Sequence, residues 1–210
     1  MSEPRPPALI FDCDGVLVDS EMLSSRVEAG IARDLGLSLT AEEAHALFLG
    51  KTVDGVLETF AARAGKRPSA AFVYNWAFAT AHAFVQELKA IAGIREALTA
   101  FGRLGHSMAV ASQSPLARVR LSLEVTGLAA TFGEHVYVTS MVERPKPAPD
   151  IYLFAADRLG AAPADCIVIE DSPASRTSCV NFSLSVFWSW KNSLSRPPSS
   201  PPRKPERALV

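Results

Sequence analysis

LIFDCDGVLVDSE, residues 9 to 21, ends an apolar run on two aspartates one residue apart and follows them at once with glycine. Two carboxylates held 4 Å apart repel by about 1 kcal/mol in water and about four times that in a partly buried site. Either a cation sits between Asp12 and Asp14, or one of them carries a proton. What the rest of the chain supplies decides between these.

Ala8 to Phe11 is continuously apolar, the pattern of a strand buried on both faces of a parallel sheet. Similar runs recur at SMAVA (107–111), HVYVT (135–139) and CIVIE (166–170). Between them, IREALTAFGRLG and PDIYLFAADRLG space their apolar residues at helical intervals and end on glycine. This alternation predicts an α/β fold: a Rossmann-like parallel sheet with helices on both faces. The carboxyl ends of its strands are then the place to look for a site.

Residues 20–87 break the rhythm and contain no strand pattern. Met22, Leu23, Val27, Ile31 and Leu35 predict one apolar helical face, and TAEE from Thr40 is a capping box. Further faces run through Val53, Val56, Leu57 and Phe60, then Phe72, Trp76, Phe78 and Phe84, read as cap core. The expected division is a catalytic core of 1–19 and 88–190 with an inserted α-helical cap domain of 20–87. ELKAIAGI (87–94) is the second hinge, and 191–210 is a disordered basic tail.

The chain has 210 residues and a net charge of -1, which predicts no attraction to nucleic acid or anionic membrane. Cys13, Cys166 and Cys179 have no metal-finger or disulfide spacing, and packing is the expected role of Cys13. The start is polar and proline-rich, and no stretch is long enough to span a bilayer. A cytoplasmic monomer is expected. The four histidines are scattered, without ligand spacing.

Chemistry gathers at the strand ends. Asp12 and Asp14 follow the first run, ASQSP follows the second with Ser112 and Gln113, RPKPAPD follows the third with Lys146, and IEDSPA closes the fourth with Glu170 and Asp171. Carboxylate pairs, a hydroxyl and a lysine on one sheet edge suit a divalent cation and a phosphate, and hard oxygen ligands suit Mg²⁺. A cation therefore answers the repulsion between the first two aspartates.

With these four motifs in order, residues 8–174 resemble the haloacid dehalogenase superfamily, in its phosphatase branch with a helical cap after the first strand. The resemblance implies a Mg²⁺-dependent phosphatase acting on a small phosphorylated metabolite, a sugar or sugar-acid phosphate, through an aspartyl-phosphate. It implies that Asp12 is the nucleophile and Asp14 the acid and base. Mg²⁺ would be bound by Asp12, the Asp14 main-chain carbonyl and Asp171, with Glu170 in or behind the ligand set. Ser112, Gln113 and Lys146 would bind the phosphoryl group.

The cap carries the softer signals. DSEMLSSR and FLGKTVDG are similar to hexose-phosphate and 6-phosphogluconate-type phosphatases, which points to Ser20, Glu21 and Lys51 as substrate contacts. A helix start also accounts for Ser20 and Glu21, and solvation for Lys51. Where β-phosphoglucomutases carry an arginine and a histidine, this chain has Val53 and Ser24, which favours hydrolysis over the mutase alternative.

From Ser175 the chain departs from the family pattern of a glycine opening an alanine-rich helix and then a strand. This tail holds six basic residues and one acidic one, and it is rich in serine and proline. VFWSW (186–190) stands where the next strand is expected. A change of reading frame near residue 175 would produce such a break. An impaired homologue that binds partners is therefore the other reading of the sequence.

Overall fold

The computed structural model describes residues 5–171 and, as backbone, 185–188. The helix expected after Ala174 and the basic tail of 191–210 lie outside the described residues.

A parallel sheet runs in the order β3 (Val136–Val138), β2 (Met108–Ser112), β1 (Ala8–Phe11), β4 (Cys166–Glu170), β5 (Ser185–Trp188). β1 lies at the centre because all four of its residues are apolar and buried. Alternate residues feed opposite faces. Leu9 and Phe11 join Val110, Leu123 and Phe132 on one side, while Ala8 and Ile10 join Ala109, Ala111 and Val168 on the other. The strands keep within a residue or two of their sequence expectation. β5 takes the place expected of VFWSW, starting at Ser185 opposite Ile167.

Helices cover both faces. α5 (Ile94–Arg103), α6 (Leu116–Val125) and α7 (Ala129–Phe132) flank the Phe11 side, and α8 (Asp150–Arg158) sets Ile151, Tyr152, Ala155 and Ala156 against the other. The chain steps outward from β1 to β2 and β3, then crosses back past β1 to β4 and on to β5. That reversal opens a crevice at the carboxyl ends of the strands.

The cap is inserted between β1 and α5 as α1 (Glu21–Ile31), α2 (Ala41–Phe48), α3 (Val53–Ala64) and α4 (Ala70–Glu87). At the start of α2 the Thr40 hydroxyl accepts from Glu43 N (3.1 Å) and Glu43 accepts from Thr40 N (2.8 Å), completing the capping box. Phe60 centres the cap core, its ring 4.7 Å from Phe48, 5.4 Å from Phe72 and 6.4 Å from Trp76. The two passages between cap and sheet lie side by side. Asp19 N donates to Lys89 O (2.9 Å) and Ile91 N to Leu17 O (3.0 Å).

Three packing expectations need correction. Met22 is 44% exposed, and the face of α1 that is buried carries Ser24, Ser25 and Glu28 beside Leu23 and Ala29. Phe78 is 64% exposed and so is not cap core, because its position on α4 turns it away from Phe72 and Trp76. Phe84 packs with Leu23 and Leu88 against the sheet-side core instead of Phe60.

Phe60 is fully buried. Phe60→Ala leaves an aromatic-sized void and is expected to cost about 3–5 kcal/mol in urea unfolding. A loss below about 1 kcal/mol would mean that the cap core collapses freely around the gap.

Candidate active site

Asp12 stands one residue beyond β1. Its N–H donates to Ile169 O on β4 (2.9 Å), so the strand ends bearing Asp12 and Glu170 are tied to each other. Lys146, from the loop after β3, places its ammonium 3.0 Å from Asp12 Oδ1 and 3.1 Å from Glu170 Oε1. Tyr152 of α8 donates to the same Glu170 oxygen (3.0 Å), and its ring centre lies 5.0 Å from Lys146 Nζ.

Burial pushes the Asp12 carboxyl up to about 8; Lys146 pulls it down, while Glu170 and Asp14 add to the rise. Burial also disfavours the Lys146 ammonium, but Asp12, Tyr152 and Glu170 outweigh it and hold Lys146 well above its ordinary value. The one ammonium therefore does not offset the burial of Asp12.

Asp12, Glu170 and Asp171 each offer a carboxylate oxygen, and these oxygens lie within 4.8 Å of one another. An oxygen-only donor set of this charge fits a hard divalent cation such as Mg²⁺. Gly15 lines the cradle at φ +78°, and a Cβ there would collide with the Asp171 carboxylate. No larger residue fits without displacing that donor.

The Asp14 carboxylate lies outside this group. It accepts from the Ser20 hydroxyl, from Ser114 Oγ (2.7 Å) and from Arg118 Nη2 (3.1 Å). Burial raises its pKa, but Arg118 and the two hydroxyl donors outweigh that and leave Asp14 below its ordinary value. Ser20 is fully buried at the N-cap of α1 but makes no side-chain cap bond, so its hydroxyl serves Asp14 and not the helix start.

Ser112 is buried at the end of β2, and its Oγ accepts from Ser114 N (3.1 Å). Gln113 reaches from the sheet to the cap, donating to Gly50 O (2.9 Å). Lys51 is exposed at the rim and donates to Thr59 (2.7 Å). These residues and Glu21 line one cavity of about 550 Å³ between cap and sheet edge, with Asp12, Asp14, Lys146 and Asp171 among its walls. Its size suits a small metabolite. Every candidate residue named from the sequence borders it.

Four residues escaped the sequence reading: Ser114, Arg118, Tyr152 and Glu28. Ser114 follows Ser112 by two in the same loop. Arg118 lies in the first turn of α6, with its guanidinium 5.0 Å from the Phe84 ring centre and Nη2 donating to Ser24 Oγ (3.0 Å). Glu28 stands four residues after Ser24, and this i, i+4 polar stripe was the available signal.

Residues 9–188 match the sequence pattern of the haloacid dehalogenase-like hydrolases. The chain belongs to this family. Hexitol phosphatase B of Escherichia coli K12 is a relative at 33% identity, over 82% of this chain and 78% of its own. The 6-phosphogluconate phosphatase of the same strain is 28% identical over 88% and 82%. Among solved structures, a HAD family hydrolase from Deinococcus radiodurans R1, with bound phosphate and sodium, aligns at TM-score 0.68 and 36% identity, covering 87% of this chain and 80% of that one. Among the described residues of this hydrolase, no helix is long and apolar enough to cross a membrane.

Burial lifts the Glu28 carboxyl to about 7, against the partial pull of Arg118, from an ordinary value of 4.5. Between those values the folded hydrolase binds more protons than the unfolded chain, so stability falls as pH rises through the window. Glu28→Gln removes this loss. Its melting temperature is expected to exceed the parent's by a few degrees at about pH 8 and to match it at about pH 4. Equal melting at both pH values would show that Glu28 ionises without cost.

Proposed function

We propose that the chain is a Mg²⁺-dependent phosphatase that hydrolyses phosphate monoesters of small hydroxylated metabolites, of the sugar-phosphate, sugar-alcohol-phosphate or sugar-acid-phosphate kind. The observation that carries this reading is Asp12 held by Lys146 in a cavity shared with Asp14, Ser112 and Asp171. The naming of relatives as phosphatases of hexitols and of 6-phosphogluconate supports the same class of ester.

In the proposed reaction an Asp12 carboxylate oxygen attacks phosphorus, forming the aspartyl-phosphate as the bond to the ester oxygen breaks. Asp14 rests as a carboxylate, so it first takes a proton from the bound monoester monoanion and delivers it to that leaving oxygen, then takes one from the water that attacks the aspartyl-phosphate. Phosphate leaves and the Asp12 carboxylate is restored. Lys146 balances charge on Asp12 and on the phosphoryl oxygens throughout, and Ser112 and Gln113 orient the group. Mg²⁺, held by Asp12, Asp171 and the Asp14 carbonyl with Glu170 behind them, would supply further positive charge for the phosphoryl group. Most of this catalysis is positioning and charge stabilisation.

Ser20 and Ser114 fix the Asp14 carboxylate from both sides, as an acid–base group requires. Val53 and Ser24 stand where a mutase would carry the groups for a second phosphate, which favours water as the acceptor. The gathering of all these side chains in one cavity supports an active centre over a decayed one.

Asp12→Asn retains the shape but cannot take the phosphoryl group, and turnover of p-nitrophenyl phosphate is expected to fall roughly 10³-fold or more. Near-parental turnover by freshly purified, undeamidated variant would remove Asp12 from the role of nucleophile. Chelation by EDTA is expected to abolish activity and added Mg²⁺ to restore it, since the carboxylates repel without a cation. Undiminished turnover after exhaustive chelation would point to metal-free chemistry.

A further inference from the structure

Glu28 is 6% exposed and lines the cavity from the cap, yet its side chain makes no hydrogen bond or ion pair among the described residues. An unpartnered buried carboxyl costs folding free energy. α1 nevertheless turns Ser24, Ser25 and Glu28 inward and leaves Met22 in solvent. The phosphoryl machinery described above uses none of these three residues.

We infer that Glu28, with Ser24 beside it and Arg118 facing it from α6, forms a hydroxyl-binding subsite selecting an uncharged polyhydroxylated substrate. That substrate is a sugar-alcohol or sugar phosphate, in preference to a sugar acid or a bisphosphate. The inference rests on the phosphatase reading and narrows it.

Charge is the first support. The Arg118 guanidinium is engaged by Asp14 at 3.1 Å and offsets Glu28 only in part, so above about pH 7 Glu28 adds negative charge to this end of the cavity. Lys146 is committed to Asp12 and Glu170. Lys51 lies at the exposed rim, bonded to Thr59. A second carboxylate or phosphate on the substrate would meet a like charge here, in a setting where such repulsion is poorly screened.

Hydrogen-bond complementarity is the second. Every polyol hydroxyl both donates and accepts. Glu28 offers acceptor oxygens. Ser24 Oγ accepts from Arg118 (3.0 Å), which leaves its O–H to donate. Donor and acceptor thus stand one helical turn apart on the same face. Trp76, buried and also lining the cavity, adds an apolar wall suited to the C–H face of a sugar. Ser25 is held by the Glu21 carbonyl (2.9 Å), with His45 Nδ1 at 3.4 Å, and so sets the rear of the stripe.

The test compares sorbitol 6-phosphate, 6-phosphogluconate, fructose 1,6-bisphosphate and p-nitrophenyl phosphate as substrates, with Mg²⁺, for the parent and Glu28→Gln. The parent is expected to show its highest kcat/KM on sorbitol 6-phosphate. In Glu28→Gln the ratio of sorbitol 6-phosphate to p-nitrophenyl phosphate is expected to fall roughly tenfold or more, chiefly through KM. The 6-phosphogluconate reaction should gain relative to that of sorbitol 6-phosphate. A merely structural role would lower all four reactions together, and an unchanged ratio overturns the inference. So does a parent that favours the acid or the bisphosphate. Should Glu28→Gln fail to fold, Glu28→Asp draws the carboxylate back by one methylene and takes the same ratio test. Hydrolysis of none of the four esters would sink the phosphatase reading alone, because calorimetric binding still reads the subsite. Tighter binding of sorbitol 6-phosphate than of 6-phosphogluconate, lost in the variant, supports the inference; equal or absent binding overturns it.

Discussion

A single buried ammonium holds the centre of this structure. Lys146 lies between Asp12 and Glu170, at a sheet edge that also carries the Asp171 carboxylate. The consequences run outward. Tyr152 must bring its hydroxyl to Glu170, which fixes α8 against the sheet, and α8 can come that close because β2 presents Ala109 and Ala111 on that face. Ile169 must accept from Asp12, which fixes the register of β1 on β4. Packing and electrostatics here impose the same geometry.

The two aspartates that open the site live in different environments. Asp12 is surrounded by other carboxylates and one lysine, and burial dominates it. Asp14, two residues on, is met by two hydroxyls and a guanidinium, and these outweigh burial. Groups of one chemical kind are thereby given opposite proton affinities, and a cation bound at Asp12 would reverse the order on that side by favouring its carboxylate form.

The sheet and the strand-end residues were legible in the sequence because both signals are local. Ala8 to Phe11 or Cys166 to Glu170 is a short run whose end is plain, and in a parallel sheet that end is where ligands bind. Lys146 and Asp171 needed only that rule. Glu28, Arg118 and the role of Ser20 were not legible for a shared reason. Each sits at or on a helix, where polar residues are ordinarily assigned to water. On α1 the polar side faces a cavity, so the same pattern that marks a solvent face marks a binding wall. Met22 and Phe78 show the converse, since apolar character did not bring them inside. Only the placement of the cap over the sheet edge resolves such cases, and no local window contains it.

The side-by-side passages between cap and sheet give the molecule a lever. Asp19 is held to Lys89 and Leu17 to Ile91, so the two crossings form one short ribbon. A ribbon resists shear and twist but bends across its width, and the cap hangs from it by both ends of its sequence. Its fulcrum lies within five residues of Asp14, while Lys51 and Glu28 ride farther out on the arm. Leu23 and Phe84 pack the near ends of α1 and α4 into the sheet-side core, so any given rotation about the ribbon displaces the rim at Lys51 more than the floor at Asp14.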